Sequence, residues 1–204
     1  MSLWISQGFA RYSTDRKWHV PHFEKMLYDQ AQLVQIYTSG YLYNRNQIYL
    51  DTVKDILTYV KRDLGSEEGG FFSAEDADSY PSSSSKEKKE GAFYAFTKKE
   101  IVHILDAKKS SQKEISWADI FCHRFGVKEN GNVDPLQDPH DELKHQNVLY
   151  QASTFQQIAD KLIIPVEEVK EIVQESVKIV FDFRNTNRPR PGLDTKIITS
   201  WNGE

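Results

Sequence analysis

Residues 7–29 combine ionisable and large aromatic side chains at high density. A solvated surface would not need so many aromatics, and a plain core would not tolerate so many charges, because an unpaired buried charge costs several kcal/mol. The mixture is typical of a ligand site, and a buried ion-pair cluster is the alternative interpretation. The ionisable members are Arg11, Asp15, Lys17, His19, His22, Glu24, Lys25 and Asp29, and the bulky members are Phe9, Tyr12, Trp18, Phe23, Met26 and Tyr28.

Within this stretch, His22 and Glu24 are candidates for general acid–base chemistry, since burial can move the pKa of both residue types towards neutrality. The alternative is that His22 caps the backbone while Glu24 pairs with Lys25 or Arg11. Metal binding is disfavoured, because Pro21 separates the two histidines and would place His19 before the helix that His22 enters.

A second candidate is the acidic group Glu75, Asp76 and Asp78. Three carboxylates in four residues repel one another and raise at least one pKa unless a cation or a hydrogen-bond donor lies among them. A divalent ion, the hydroxyls of a sugar, or the cations of residues 7–29 would fill that role. An exposed acidic turn is the alternative, and the spacing is not that of an EF-hand loop.

The rest of the sequence excludes several function classes. No Gly-rich phosphate loop, nucleophile elbow or metalloprotease motif is present, so no cofactor is expected. The net charge of −4 gives no reason to expect nucleic acid or a membrane as partner, and the single Cys122 excludes an internal disulfide. Without a signal-peptide pattern or a spanning apolar run, a cytoplasmic location is favoured.

The elements that must position these residues are mostly helices. Hydrophobic spacing predicts helices over 23–44, with Pro21 at the entry, and over 48–64, joined as an antiparallel hairpin. A short strand over 92–96 and a mobile loop over 80–91 are predicted, and residues 126–147 are either an extended ordered loop or a disordered one. Further helices are predicted after the Thr97–Glu100 capping box, over 117–125, over 153–162 and from Pro165 to about Arg188.

Five motifs carry a resemblance to a known family. The runs GFARYSTDRKWHVPHFEKMLYDQAQL, GGFFSAEDADS, KEGAFYAFTKKE, DPHDELKHQNVLY and RPRPGLDTKIITSWNG resemble the spermatogenesis-associated protein 20 family in order over nearly the whole chain from Gln7. That family carries a thioredoxin-like domain followed by an (α/α)6 toroid similar to six-hairpin glycosidases and to N-acylglucosamine 2-epimerase. The resemblance implies a mainly α fold in which residues 7–204 form a partial toroid of helix hairpins.

The resemblance also implies a site at one end of the toroid that takes a carbohydrate-like ligand. The reaction would be epimerisation, isomerisation or glycoside hydrolysis, and the family name implies a role in spermatogenesis or fertility. A non-catalytic scaffold and an inactive truncated product are the alternatives. The expected catalytic residues are His22, Glu24 and Asp76, and the expected substrate-binding residues are Arg11, Tyr12, Trp18, Tyr28, Asp29, Glu75 and Asp78.

Two departures from the family pattern generate further expectations. Residues 1–6 do not match, so the thioredoxin-like domain is expected to be absent, and the later hairpins of the toroid are expected to be absent as well. Without those hairpins, Val173, Val177 and Val180 should be exposed, each forfeiting about 1.5–3 kcal/mol, which predicts marginal stability or self-association through the uncovered face. Residues 195–204 should begin a helix, capped by Thr199 and Ser200, that has nothing to pack against.

Overall fold

The computed structural model describes residues 7–105, 108–110 and 114–203. The chain divides into two compact units, one formed by Met1–Ser79 with Arg190–Glu204 and the other by Tyr80–Pro189. Helices dominate both, so the prediction of a mainly α fold is confirmed. None of the helices in the described ranges combines the length and apolar character needed to traverse a bilayer.

The first unit is built on a helix hairpin. Helix α1 (Leu27–Asn44) and helix α2 (Gln47–Tyr59) are joined by Arg45, which adopts a left-handed conformation, and Asn46, whose side chain caps α2. A π-helical turn (Val60–Leu64) extends α2. Leu27 at the start of α1 packs with Val60 and Leu64 at the end of this segment, so the predicted antiparallel arrangement is confirmed.

Short strands precede and follow the hairpin in the first unit. Strand β1 (Tyr12–Ser13) pairs with β2 (Pro21–His22), and a three-stranded antiparallel sheet has the order β3 (Lys25–Met26), β4 (Ala74–Glu75), β7 (Leu193–Asp194). Strand β5 spans Asp78–Ser79. The expected helical start near Phe23, with Pro21 at its entry, is wrong, because residues 25–26 are held in a strand and α1 begins only after Met26, which is extended.

The last helix, α7 (Thr199–Asn202), is present as predicted but is neither idle nor capped by its own side chains. Trp201 packs against the core cluster formed around Ile56 and Tyr59, and its ring meets Tyr28 edge-on at 4.9 Å. Asn202 exchanges two hydrogen bonds with the backbone of Phe71, at 2.7 and 3.1 Å. The expectation that this helix has nothing to pack against is therefore wrong.

Among its described residues, the second unit contains four α-helices and one short strand, β6 (Lys89–Glu90). The helices are α3 (Lys98–Leu105), α4 (Trp117–Phe125), α5 (Phe155–Leu162) and α6 (Val166–Asn187). Helix α6 packs against the other three, so Val173 and Val180 are buried, at 4% and 0% exposed, and Val177 is half-buried. The expectation that this face would be uncovered is wrong, since α3, α4 and α5 cover it from within the same unit.

The segment 126–147 is ordered around one buried amide. The Asn147 side chain donates to the carbonyls of Phe96 and Lys128, both at 3.1 Å, and accepts from the Lys128 N–H at 2.8 Å. The backbones of Phe96 and Asn147 also bond to each other. Of the two interpretations of this segment, the ordered loop is confirmed, and it contains a 3-10 turn at Pro135–Gln137.

The predicted strand over 92–96 is wrong. Residues 91–94 form a turn that starts at Gly91, whose φ of 72° favours glycine, and residues 93–96 are buried. The turn carbonyls of Ala92, Phe93 and Ala95 accept hydrogen bonds from a single guanidinium, that of Arg188, at 3.0, 3.1 and 2.6 Å. A side chain therefore provides the hydrogen bonds that a neighbouring strand would have supplied.

Replacing Arg188 tests how far the second unit depends on it. The Arg188 side chain is 8% exposed, pairs with Glu100 at 2.7 Å and lies 4.2 Å from the Phe96 ring centroid. We expect Arg188→Met to lower the free energy of unfolding by about 3–5 kcal/mol, because it leaves a partly buried carboxylate and three carbonyls without their partner. Urea unfolding followed by circular dichroism measures the loss. The exposed Arg16→Met is the matched control, and an equal loss in both variants would contradict this role.

Candidate functional site

The segment 21–26 is extended, and its side chains alternate between the interior and the surface. Residues 75–79 alternate in the same way. Because neighbouring residues of a strand point to opposite faces, each segment has one buried row and one accessible row. The buried positions are Pro21, Phe23, Lys25, Glu75, Ala77 and Ser79, and the partly exposed positions are His22, Glu24, Met26, Asp76 and Asp78.

The pairing of β3 with β4 brings the two predicted candidate groups together. Lys25 lies opposite Glu75, and Met26 lies opposite Ala74. Counting one position beyond these pairs puts Glu24 opposite Asp76, with both side chains on the accessible face. Glu24 and Asp76, which come from distant parts of the sequence, therefore lie on the same side of this sheet by register.

An inner cluster consists of Lys25, Tyr59, Asp63, Glu75 and Arg190. The Lys25 Nζ donates to the Gln7 carbonyl at 2.6 Å and lies 4.2 Å from the Tyr59 ring centroid. The Tyr59 hydroxyl donates to Glu75 at 3.1 Å, and Arg190 bridges Glu75 at 3.2 Å and Asp63 at 2.8 Å. Lys25 and Glu75 are 0% and 1% exposed, so this cluster is internal, and Glu75 is the one predicted site residue in it.

The electrostatics of the inner cluster favour the charged form of Asp63. Burial by itself raises the pKa of Asp63, but hydrogen bonds from Arg62 and the charge of Arg190 outweigh it, and the pKa lies below its ordinary value. Arg62 donates two bonds to Asp63, and Arg190 adds a third. The pKa of Arg190 is raised in turn, because the charges of Asp63 and Glu75 outweigh its own burial.

An outer cluster consists of Arg11, Tyr12, His22, Glu24 and Tyr28. Glu24 Oε2 lies 3.1 Å from Arg11 Nη1 and 3.6 Å from His22 Nε2, and the Glu24 and His22 side chains are 27% and 26% exposed. The Tyr12 ring stacks on His22 with centroids 5.0 Å apart, and the Arg11 guanidinium lies 6.0 Å from the Tyr28 ring centroid. An imidazole and a carboxylate within reach of solvent and of each other can exchange protons with a bound ligand.

Asp29 lies beside the outer cluster and is poorly satisfied. Its Oδ2 is shielded from solvent and has no hydrogen-bond partner among the described residues. Burial raises the pKa of Asp29, the nearby charge of Arg11 lowers it, and the charge of Glu24 raises it further, so the net pKa is above the ordinary value. A carboxyl group placed in this way binds a proton more readily than an exposed aspartate does.

The remaining predicted site residues lie at three positions. Trp18 is 70% exposed at the end of the β1–β2 connection, where Asp15 accepts backbone N–H bonds from Lys17, His19 and Val20. Asp78 follows Asp76 on the accessible row, and its N–H donates to Asp76 at 3.3 Å. Glu75 belongs to the inner cluster. No group of three or more His, Cys, Asp or Glu side chains in the described ranges could hold a metal ion.

One residue beside the outer cluster was missed by sequence reasoning. Trp201 contacts Tyr28 edge-on although 173 positions separate them in the chain. The sequence places Trp201 in a helix near the end of the chain and gives no sign that it meets residues 7–29. Only the packing of α7 against α1 brings the two aromatic rings together.

Comparisons with known proteins give consistent results. The chain is 42% identical over 200 residues to human Spermatogenesis-associated protein 20 and 41% identical over 200 residues to the mouse protein of that name. It is also 41% identical over 201 residues to Uncharacterized protein B0495.5 of Caenorhabditis elegans. Each match covers 98% of this chain but only 25–27% of the relative, so the chain spans about a quarter of the length of these relatives. No family model matches the chain.

The lowered pKa of Asp63 predicts a specific loss of stability in acid. Its ionised form is favoured by folding, so its contribution is fully present above the ordinary aspartate pKa of about 4 and is lost as the pH falls through the lower pKa of the folded state. We expect Asp63→Asn to be less stable than the parent chain at neutral pH and to lack this acid-dependent loss. Urea unfolding at a series of pH values measures it, with the exposed Asp182→Asn as control. Parallel pH curves for the parent chain and Asp63→Asn would contradict the assignment.

Asp29 predicts a dependence of stability on pH that is opposite in direction to that of Asp63. Because its folded-state pKa is raised, its ionisation opposes folding, and the parent chain loses stability as the pH rises from the ordinary aspartate pKa through the raised one. We expect Asp29→Asn to unfold at a higher urea concentration than the parent chain at neutral pH, and the difference to vanish in acid. A variant that is less stable than the parent at neutral pH would show that the Asp29 charge is paired.

Proposed function

Because this chain belongs to the spermatogenesis-associated protein 20 family and presents the outer cluster on an accessible face, we propose that this face binds a carbohydrate-like ligand and performs acid–base chemistry on it. The α1–α2 hairpin would be one of the helix pairs of an (α/α)6 toroid in the longer chains of the family. The relatives named for spermatogenesis suggest that the complete protein acts in sperm development or fertility. The chain described here would supply one wall of the site.

The observation that carries this proposal is the position of Glu24. Its carboxylate is shared between a cation, Arg11, and an imidazole, His22, and it remains partly accessible. Glu75, whose partners are all internal, is almost fully enclosed, whereas the Glu24 side chain keeps an accessible part that a ligand can reach. A partly open carboxylate beside stacked rings resembles the polar and aromatic lining of a small-molecule site.

Each residue type in the face suits a polyhydroxylated ring. The exposed Tyr12, stacked on His22, offers an apolar platform for the C–H face of a sugar, while Arg11, Asp76 and Asp78 offer hydrogen bonds to its hydroxyls. Tyr28 and Asp29 would line the adjoining edge. Glu75 would act from beneath by fixing the strand that carries Asp76.

The β3–β4 register, continued by one position, would bring Glu24 opposite Asp76 and would suit a two-carboxyl mechanism. Residues directly opposite in antiparallel strands have Cβ atoms about 4.5–5.5 Å apart. For epimerisation or isomerisation, one group removes a proton from a carbon beside a carbonyl and another returns a proton, with His22 and Glu24 filling these roles. For glycoside hydrolysis, two carboxyls roughly 5–10 Å apart are needed, and Glu24 with Asp76 would provide them.

A second candidate function rests on the inner cluster. Lys25, Glu75 and Asp63 are buried and hydrogen-bonded, which is the arrangement expected of internal ion pairs that organise a scaffold. A non-catalytic family member would use the same cluster to hold the helix hairpin in place. In that case the outer cluster would be the charged margin of an interaction surface.

A ligand screen distinguishes the two functions. The chain is heated in the presence of a panel of sugars and sugar phosphates, and the parent is compared with Glu24→Gln and with the exposed Glu67→Gln as a matched control. A ligand present at 100 times its dissociation constant should raise stability by about 2.7 kcal/mol. We expect a shift in the parent and the control that is lost in Glu24→Gln. An absence of any shift, with a cooperative melt, would favour the scaffold.

A further inference from the structure

The sequence contains two Asn-Gly pairs, and the fold holds them in different ways. Asn130 with Gly131 lies in the segment 126–147 of the second unit, and Asn202 with Gly203 lies at the end of α7 in the first unit. Asparagine is chemically labile, above all before glycine, because a residue without a side chain lets its main-chain nitrogen reach the asparagine amide. Whether each pair reacts therefore depends on how the folded chain restrains it.

Asn202 is restrained at both of the groups that would react. Its Nδ2 donates to the carbonyls of Phe71 and Ile198, both at 3.1 Å, and its Oδ1 accepts from the Phe71 N–H at 2.7 Å. The Gly203 N–H donates to two carbonyls of the preceding turn, at 3.1 and 3.3 Å. These hydrogen bonds must open before the nitrogen of Gly203 can attack the side chain of Asn202.

Asn130 has no comparable restraint. It is exposed, and its side chain makes no hydrogen bond to another described residue. The Gly131 N–H donates a single hydrogen bond, to the Lys128 carbonyl at 3.3 Å. The nearby Asn132 is held as Asn202 is, since its Nδ2 donates to two carbonyls at 3.0 and 2.9 Å. Among these three asparagines, only Asn130 has an untied side-chain amide.

The packing of segment 126–147 requires the glycine that follows Asn130. Gly131 has a φ of 84°, and a Cβ atom at this position would lie 2.7 Å from the Gln146 carbonyl oxygen. The same Gln146 carbonyl accepts the N–H of Asn132 at 3.1 Å. The close approach that orders this segment therefore keeps a glycine beside an exposed asparagine.

We propose that Asn130 is a modification site at which the chain converts spontaneously to isoaspartate, with water as the co-reactant. The Gly131 nitrogen attacks Cγ of Asn130 and closes a five-membered imide. The bond from Cγ to Nδ2 breaks, and the side-chain nitrogen leaves as ammonia with the proton that the Gly131 nitrogen loses. Water then opens the ring: cleavage at the main-chain carbonyl gives isoaspartate, and cleavage at Cγ gives aspartate. No oxidant or reductant takes part.

Isoaspartate at this position would disturb the hydrogen bonds around it. The main chain then runs through the side-chain carbons and gains an additional atom between Lys128 and Asn132. The Lys128 N–H donates to Asn147 at 2.8 Å, and Asn132 accepts from the Val148 N–H at 2.9 Å. Both contacts depend on the spacing that the extra atom changes. The site includes no residue of the outer cluster, so it is independent of the proposed ligand chemistry.

Ageing of the full chain in mildly alkaline buffer, followed by proteolytic digestion and fragmentation mass spectrometry, tests the proposal. We expect isoaspartate to form at Asn130 roughly 10–100-fold faster than at Asn202, because several hydrogen bonds must open at Asn202 first. In concentrated urea the two asparagines should convert at similar rates, since both are followed by glycine and neither is restrained.

A variant and a second readout count the product independently. Asn130→Gln is the matched control, because a glutamine would have to close a larger ring and the position is exposed. An isoaspartate-specific carboxyl methyltransferase transfers the methyl group of S-adenosylmethionine to the new carboxylate. We expect the aged parent chain to accept methyl groups and the aged Asn130→Gln variant to accept few. Far-UV circular dichroism checks that the variant is folded.

Three outcomes would overturn the proposal. Equal conversion of Asn130 and Asn202 in the folded chain would show that the hydrogen bonds do not decide which residue reacts. Conversion of Asn130 in urea but not in the folded chain would show that the turn at Gly131 protects it. Equal methyl acceptance by the aged parent and the aged Asn130→Gln variant would place the reactive residue elsewhere. The first two comparisons need no variant.

Discussion

The burial of the Lys25 ammonium group is the constraint on which the first unit depends. A lysine head group removed from water needs a hydrogen-bond acceptor and favourable charges around it, and here it finds the Gln7 carbonyl and the face of Tyr59. Meeting those partners holds residues 25–26 in a strand and delays the start of α1 until Leu27. The register of that strand then places Glu75 inside and turns Glu24 and Asp76 outward.

Because the side chains of residues 21–26 point alternately inward and outward, this segment serves two purposes. On the inward side, Gln7 and Tyr59 satisfy Lys25, and Tyr59 and Arg190 satisfy its strand neighbour Glu75, which fixes the backbone. The row that points outward is held by that rigid backbone and remains partly accessible. Functional groups placed on a fixed element keep a more definite geometry than groups on a free loop. Asp29 has a raised pKa and an unsatisfied oxygen, so its charge lowers stability. Residues of this kind are retained where an active site needs them.

The second unit uses buried polar side chains in a comparable way. Arg188 binds three carbonyls of the turn at residues 91–95, and Asn147 joins Phe96 to Lys128. The contribution of these two residues is hydrogen bonding and not apolar packing. Each satisfies backbone groups that lack a partner in a helix or sheet. These contacts order long irregular segments in a unit that is otherwise made of helices.

Local physical chemistry was enough for the sequence to determine most of the helices. The helices at 117–125 and 155–162 depend on near neighbours: Gly126 ends the first in a left-handed conformation, and Thr154 with Gln157 forms a capping box for the second. The helix that follows Pro165 and the capping box of Thr97 and Glu100 were predicted for the same reason. The dense charges of residues 7–29 were compatible with a ligand site and with a buried ion-pair cluster, and the sequence did not distinguish between these interpretations.

Only the tertiary structure decided which of those charged side chains are buried and which remain accessible. The period-two alternation of Pro21–Met26 was hidden because one inward position is a lysine, which hydrophobic patterns score as a surface residue. Whether Lys25 lies inside depends on Tyr59 and Glu75, which are distant in sequence, and the burial of Val173 and Val180 depends on three other helices. Helix caps are set by residues a few positions apart, whereas the burial of a charge is set by partners that only the folded chain brings together.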